Sequence, residues 1–317
     1  MLNIVYMGTP DFAVPALESI ISSGHNIKAV FAQPDKPAGR GYNLRKPPVK
    51  ICAEKHNIPV YQPEKLKNSD AETVIKQLNP DIIVVAAYGQ ILPEGILSLP
   101  RLGCVNIHAS LLPKLRGAAP IQWAIYNGDK ITGITTMKMA KGLDTGDILE
   151  QAETDIGEDE TADSLHNRLS QLGAQLIVST LNKLENGSIS SRPQGDYFTY
   201  APLIKKDMGE IDFSKTAREI YNMIRAFTPW PSAFTTLNRR RIKVIEAAVS
   251  DKISKMPAGS VCCTGSVISA ACGDGSVIDF SVIQPEGSGK MSAEAFLCGH
   301  SVELGTVLGK KAEFRLY

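Results

Sequence analysis

Two hydrophobic rhythms divide this 317-residue chain. Through the first half, short β-rich apolar runs alternate with stretches of helical spacing. LNIVYM (Leu2 to Met7) reads as a strand closed by Gly8, and Phe12 to Ser23 as a helix stopped by Gly24 at its C′ position. IKAVFAQ (Ile27 to Gln33) is a second strand. Ser69-Asp70-Ala71-Glu72 has the capping-box pattern and leads into a helix ending near Leu78. DIIVVAA (Asp81 to Ala87) is apolar on both faces, as a central strand of a parallel sheet must be. Cys104 to His108 and Ile134 to Met139 are further strands, with a helix between them at Ile121 to Tyr126. Strands alternating with helices predict a doubly wound, mostly parallel α/β domain.

A long helix follows, in which Leu165, Leu169, Leu172, Leu176, Leu181 and Leu184 form one stripe that ends at Gly187. The first domain is therefore expected over residues 1–187. Ser188 to Lys206 is polar, carries Pro193 and Pro202 and has little periodicity, so 188–206 reads as a linker. Residues 207–317 change character. One helix, about Thr216 to Phe227, precedes short β-rich runs at Ala233 to Leu237, Ile242 to Ala248, Val267 to Ala271 and Val277 to Ile283. Gly273-Asp274-Gly275 marks a hairpin turn, and the close spacing predicts a small barrel or sandwich.

Composition narrows the class. Hydrophobic residues are 43% and charged residues 21%, the balance of a globular protein rather than a disordered or fibrous one. No apolar run approaches the roughly 18 residues of a membrane span, and MLNIVYMGTP lacks the features of an export signal. A cytoplasmic protein without a membrane partner is expected, and a monomer. Lys and Arg number 34 against 33 Asp and Glu, a net charge of +1. A polyanionic partner must then be held by a local patch. Cys52, Cys104, Cys262, Cys263, Cys272 and Cys298 contain no Cys-x-x-Cys pair and no nearby histidines at ligand spacing, so they read as scattered buried thiols, with no metal expected.

Ligands of open parallel sheets bind beyond the carboxyl ends of the strands. Gly8-Thr9-Pro10-Asp11, Tyr88-Gly89-Gln90, the segment from Asn106 onward and Gly142-Leu143-Asp144-Thr145-Gly146 all leave predicted strands and are expected along one rim. Gly8 stands alone where a dinucleotide fingerprint needs three glycines, which disfavours a nicotinamide dehydrogenase. Asn106 and His108, two apart on a strand, share a face, and Asp144 on a glycine-flanked loop is a candidate partner. The plain alternative is a hydrogen-bonded core histidine and a turn aspartate. The sharper one is an Asn/His/Asp site that steers a proton and stabilises an oxyanion. A Ser-His-Asp hydrolase built on Ser110 fails, because G-x-S-x-G is absent and a proline-bearing loop follows.

Asp35 to Lys50 (DKPAGRGYNLRKPPVK) carries Lys36, Arg40, Arg45, Lys46 and Lys50 against Asp35. Its prolines and glycines argue against a helix. Either it is a solvated loop, or a hinge-like loop that grips phosphates.

NIHASLLPKLRGAAPIQ (Asn106 to Gln122) together with GLDTGDIL (Gly142 to Leu149) resembles the folate-dependent formyltransferases. The likeness extends over the chain through GTPDFA (Gly8 to Ala13), QPDKPAGRG (Gln33 to Gly41), VAAYGQILP (Val85 to Pro93) and RAFTPWP (Arg225 to Pro231). The Asn-x-His…Asp set marks only the superfamily, which includes glycinamide ribonucleotide formyltransferase. The basic loop and the β-rich C-terminal domain resemble the branch acting on tRNA. Departures are few: Thr228 stands where the family often has asparagine, and Ala109 where glycine or proline is frequent.

The resemblance implies a Rossmann-like formyltransferase domain followed by an OB-like, tRNA-binding β-barrel. It implies 10-formyltetrahydrofolate as donor and the α-amino group of methionine on charged initiator tRNA as acceptor. Asn106, His108 and Asp144 would be catalytic. Ser110-Leu111-Leu112-Pro113, Tyr88, Gln90, Leu92 and Gly142 would surround the folate. Lys36, Arg40, Arg45, Lys46 and Lys50 would meet the tRNA. Asn106 and a protonated His108 would donate to the tetrahedral oxyanion, and Asp144 would hold His108 charged and help relay a proton. Another folate-dependent formyltransferase, a 10-formyltetrahydrofolate hydrolase and a non-catalytic RNA-binding protein are the alternatives.

Overall fold

A computed structural model describes residues 1–38 and 43–309. The chain divides into two compact units. One comprises Met1–Pro120, Ile131–Asp155 and Leu165–Ala201; the other comprises Ile121–Lys130, Ile156–Ser164 and the chain from Pro202.

The chain opens with β1 (Asn3–Gly8), α1 (Val14–Ser22) and β2 (Asn26–Phe31). A short antiparallel pair, β3 (Lys36–Ala38) and β4 (Asn43–Arg45), precedes α2 (Pro48–Lys55) and β5 (Val60–Tyr61). Then come α3 (Ala71–Leu78), β6 (Ile82–Ala86), α4 (Glu94–Leu97), β7 (Cys104–His108) and β8 (Arg116–Gly117). After α5 (Pro120–Tyr126) run β9 (Ile131–Lys138), β10 (Ile148–Asp155), α6 (Ala162–Glu185) and β11 (Tyr200–Ala201).

The first unit is a seven-stranded sheet in the order β10-β9-β7-β6-β1-β2-β5. Pairings from β5 to β7 are parallel, and β9 and β10 add an antiparallel edge. Every residue of β6 is buried, as its unbroken β-branched run requires at the sheet centre. The chain passes from β1 to β2 on one side and returns to β6 on the other, so the crevice opens between β1 and β6. α6 lies on one face of β7: a Cβ on Gly173 would stand only 3.0 Å from Ile107 Cγ2. Its buried stripe runs through Leu165, Leu169, Gly173, Ile177 and Leu181, while Leu172, Leu176 and Leu184 are half-buried. The true contact face is thus set by small residues as much as by leucines.

Local expectations change in four places. A 3₁₀ turn (Asp11–Ala13) precedes α1, so the helix proper starts at Val14. Asp70 caps α3 without a side-chain bond, and Ser69 Oγ accepts from the Ala71 amide instead, so the capping box does not form. α2 occupies Pro48, Val49 and Lys50 of the segment expected to be non-helical, because Pro48 sits at the start of a helix, where a missing N–H costs nothing. Residues 188–201, expected within a linker, lie on the first unit: Arg192 bridges Ile148, and β11 pairs in parallel with β8. The polar β10 (ILEQAETD) was invisible to apolar patterning because it is an edge strand.

In the second unit, α7 (Ala217–Ala226) carries a full capping box between Thr216 and Glu219. The strands β12 (Ala233–Leu237), β13 (Arg240–Ile253), β14 (Val261–Thr264), β15 (Ile268–Ala271), β16 (Ser276–Pro285) and β17 (Met291–Ser292) are followed by α8 (Ala293–Gly299). They form an antiparallel sheet in the order β12-β13-β16-β15-β14, with β17 beside β16. Gly275, at φ +84°, makes the turn between β15 and β16 that its sequence announces. Segment 156–164 belongs to this unit because Arg225 of α7 donates to the carbonyls of Gly157 and Glu160, and Tyr221 Oη donates to Asp159. Of the cysteines, Cys52, Cys104 and Cys272 are buried, but Cys262 and Cys263 are only half-buried and Cys298 is exposed. No described helix is long and apolar enough to cross a membrane.

Asp81 joins two sheet strands to a loop. Its carboxylate accepts from the Asn3 amide at 2.8 Å and from Arg101 Nε at 2.8 Å. The Asn3 hydrogen bond, with help from Arg101, holds this carboxyl below the usual carboxylate range. A lowered folded-state pKa adds stability above the unfolded value near 4, and that stability is lost as pH falls through the folded value. Asp81→Asn should therefore cost about 1–2 kcal/mol in urea unfolding at pH 7. The gap between variant and parent should narrow as pH falls below about 4.

Candidate active site

β7 presents alternate residues to opposite sides. Ile107 meets α6, and Asn106 and His108 face the other way, as their spacing predicts. The His108 side chain is buried, and its Nε2 lies 3.0 Å from the Leu115 carbonyl. A carbonyl only accepts, so this ring nitrogen carries a hydrogen. Nδ1 lies 3.7 Å from Asp144 Oδ2. Nε2 is thereby fixed on a carbonyl, and Nδ1 is the ring nitrogen beside the carboxylate. Asn106 Nδ2 approaches Asp144 Oδ1 at 3.5 Å. The three expected catalytic residues therefore do meet.

Asp144 reaches them by an unexpected route. β9 runs antiparallel to β7, with Lys138 opposite Val105 and Thr135 opposite His108. The loop after β9 consequently starts at the amino end of β7 and folds back over Asn106 and His108. It does not leave the carboxyl rim with the other three segments. The fold-back is tight: a Cβ on Gly146 would fall 1.6 Å from the Lys138 carbonyl oxygen. Asp144 takes a left-handed φ of +52° there. Its Oδ2 accepts from the Gly117 amide at 2.9 Å.

The supporting shell comes from the segment read as a linker. Gln194 Nε2 donates to the carbonyls of Asp144 at 2.9 Å and Gly146 at 2.7 Å. Gln194 Oε1 accepts from Arg116 Nε and Nη2 at 2.9 and 2.7 Å. Thr199 accepts from the Leu115 amide at 2.8 Å through Oγ1, and its carbonyl accepts from the Arg116 amide. Gln194, Thr199 and Arg116 were not singled out in the sequence. Isolated polar residues in an aperiodic stretch carry no signal of their own; only the LRG turn beside the Asn-x-His motif hinted at Arg116.

Ser110-Leu111-Leu112-Pro113 is clamped from beneath. Thr135 Oγ1 donates to the Ser110 carbonyl at 2.6 Å and accepts from the Leu112 amide at 3.0 Å. Gln151 Nε2 donates to the Leu112 carbonyl at 2.9 Å. Ser110 Oγ donates to the Lys114 carbonyl, and Leu112 is buried. Gly133 leaves room for Leu111, whose Cδ2 would be 2.6 Å from an added Cβ.

Of the remaining expected folate residues, Tyr88 and Leu92 have side chains in the apolar core with Met7, Phe31 and Ile96. Burial pushes the Tyr88 phenol up to about 12. Gln90 holds the 63–66 loop, accepting from the Leu66 amide and donating to the Pro63 and Glu64 carbonyls. The rim loops are nevertheless tied together: Thr9 Oγ1 and Gln33 Nε2 both donate to the Tyr88 carbonyl. Gly142, at φ +126°, shapes the Asp144 loop.

The basic segment divides. Arg40 lies outside the described residues. Lys36 and Arg45 face each other across β3 and β4 and are exposed. Lys46 pairs with Glu54 at 2.8 Å. Lys50 is committed to Asp35 at 2.9 Å and to Gln62 at 2.6 Å. Its ammonium is structural, because a carboxylate already satisfies it.

Known proteins share both units of this architecture. The chain belongs to the formyl transferase family: the model described as formyl transferase matches residues 2–181, and that of the formyl transferase C-terminal domain matches 203–301. It is similar to the methionyl-tRNA formyltransferase of Geobacter metallireducens, 48% identical over 310 residues, 97% of this chain and 99% of that one. Among solved structures, the sugar 3N-formyl transferase WlaRD, in the presence of dTDP and 5-N-formyl-THF, matches with a TM-score of 0.65 at 19% identity. That match covers 91% of this chain and 99% of WlaRD. A variant of HypX from Aquifex aeolicus matches with a TM-score of 0.60 at 14% identity over 94% of this chain, which spans about half of HypX (49%).

If Gln194 positions Asp144, then Gln194→Ala should lower kcat for formyl transfer about tenfold or more with Tm nearly unchanged, since small misplacements of catalytic groups are costly. Gly146→Ala should be more severe in kcat, because the loop must move to admit the methyl group. Equal kcat for Gln194→Ala and parent in steady-state assays would remove Gln194 from this role.

Proposed function

We propose that this protein transfers the formyl group of 10-formyltetrahydrofolate to the α-amino group of methionyl initiator tRNA, yielding N-formylmethionyl-tRNA for translation initiation. The observation that carries it is the likeness to curated methionyl-tRNA formyltransferases over 97% of the chain, met here by Asn106 and His108 on one face of β7 with Asp144 folded over them. The formylated folate present with WlaRD supports a folate donor. In this reading the first unit, which includes residues 165–201, carries the catalysis, and the second, which includes the chain from Pro202, binds the tRNA.

The chemistry follows from the contacts. An α-amino group has a pKa near 8, so a useful fraction is already a free nucleophile at neutral pH. Its nitrogen attacks the formyl carbon, and negative charge develops on the formyl oxygen. Asn106 Nδ2 has two hydrogens; one faces Asp144 at 3.5 Å, and the other, without a partner among the described residues, can serve that oxygen. His108 keeps Nε2–H on the Leu115 carbonyl, so proton movement falls to Nδ1, beside Asp144. The nascent ammonium loses its proton through this pair, the leaving folate nitrogen gains one, and the carbon–nitrogen bond to the folate breaks. Asp144, anchored by the Gly117 amide, orients the ring for both transfers. The Tyr88 and Leu92 side chains are core, so the 88–92 segment serves the folate through its backbone.

The deciding assay is formyl transfer from 10-formyltetrahydrofolate to charged initiator tRNA, with glycinamide ribonucleotide and water as competing acceptors. Preference for either competitor would reject the reading. Asn106→Ala should lower kcat by about 10² or more, as loss of a transition-state donor does, and His108→Ala by about 10² or more, as loss of a general acid–base group does. Arg45→Ala should raise the KM for tRNA with folate kinetics unchanged. Lys50→Ala should instead lower Tm, since it strips Asp35 of its ammonium. An unchanged Tm for Lys50→Ala with a raised KM would return Lys50 to the tRNA surface.

A further inference from the structure

The hairpin of β12 and β13 carries a concentration of charge that the site leaves unused. Residues 236–243 (TLNRRRIK) hold four positive charges and no negative one, in a chain whose net charge is +1. Arg239, Arg240 and Arg241 are exposed. No ion pair to these arginines or to Lys243 is found among the described residues. The bordering acidic residues are Glu210, bridged to Phe234, and Glu286, whose amide donates to the Arg241 carbonyl.

The two faces of the hairpin are sorted. Ala233, Thr235, Leu237, Ile242 and Val244 are buried. Phe234 pairs with Lys243, and Thr236 with Arg241, on the outward face. The Arg241 guanidinium lies 3.5 Å over the Phe234 ring, which holds it ready without neutralising it. At the tip, Asn238 and Arg239 both take left-handed φ values, +48° and +68°. Glycine is favoured at the second position of such a turn, and an arginine there costs conformational energy. No contact within the described protein offsets that cost. A strained position filled by an unpaired cation points outward, to a partner.

We propose that this hairpin grips the sugar-phosphate backbone of the tRNA acceptor, with Arg239 and Arg240 on phosphates and Arg241, braced by Phe234, as the fixed member. The proposal rests on the tRNA reading above. Guanidinium groups match phosphate geometry in two-pronged contacts, and such contacts position RNA without reading its sequence. A flat, outward cationic face with one aromatic beneath it suits a backbone better than a pocketed ligand.

The test is the variant Arg239→Gly/Arg240→Gln/Arg241→Gln, in which glycine relieves the turn and protects the fold. Uncharged initiator tRNA is titrated by fluorescence across a salt series, and formylation kinetics are run beside it. The expected result is a KM for charged tRNA raised about tenfold at physiological salt, an unchanged kcat, and a slope of log affinity against log salt reduced by about two to three units. A triple Arg→Lys variant should keep most of the slope, since the charges remain. Equal affinity and slope for parent and the Gly/Gln/Gln variant overturn the proposal, as does a parent that binds anionic phosphatidylserine vesicles in preference to tRNA. A parent that fails to formylate tRNA, yet loses salt slope in the variant, supports the hairpin and rejects the reading of the acceptor.

Discussion

The Asp144 carboxylate is held by a backbone amide, and the arrangement around β7 depends on that choice of donor. A nearly buried carboxylate that lost its partners would be costly to keep ionised. The Gly117 amide cannot rotate away, so Oδ2 has a fixed seat, from which the carboxylate faces both Asn106 and His108. Gly117 is positioned in turn by β8, which β11 pairs in parallel, and a Cβ there would lie 2.7 Å from the Ala201 carbonyl oxygen. The Gln194 side chain then ties the Asp144 loop to Arg116. A polar segment with no hydrophobic rhythm thereby fixes the geometry of Asn106, His108 and Asp144.

This explains what could and could not be read from the sequence. Period-two spacing put Asn106 and His108 on one face because β7 is a central strand with its pleat fully expressed. Asp144 was found by its glycine flanks, but its placement was misjudged, since apolar runs do not reveal direction. Nothing in Ile134 to Met139 says that this strand opposes its neighbour. Thr135, Gln151, Gln194 and Thr199 act through single hydrogen bonds to backbone groups that are distant in sequence, and such bonds leave no periodic trace. The second unit was better signposted: the Gly273-Asp274-Gly275 turn is a local device that closes within a few residues.

Charge shows the same division between what is counted and what is free. The segment from Asp35 to Lys50 is strongly basic by count, yet Lys50 is satisfied by Asp35 and Gln62, and Lys46 by Glu54. Exposed ion pairs of the second kind are weak and yield to a better anion, whereas the first pair is shielded and cooperative with Gln62. Residues 238–241 fell in the gap between two expected strands and drew no attention, although their cations lack acidic partners among the described residues. For a chain near neutrality, the field felt by a polyanion is set by which cations remain unpaired, not by their total.

β7 finally shows why core and site are inseparable in this fold. Its odd and even residues serve opposite masters: Ile107 packs on Gly173 of α6, and Asn106 and His108 face the Asp144 loop. Because interiors are close-packed, a strand gripped by a helix on one side has little freedom to shift on the other. Asn106 and His108, mounted on that strand, inherit its rigidity. The loop that carries Asp144 meets them there because its own place is fixed from the other side, by the Gly117 amide and by the Gln194 side chain.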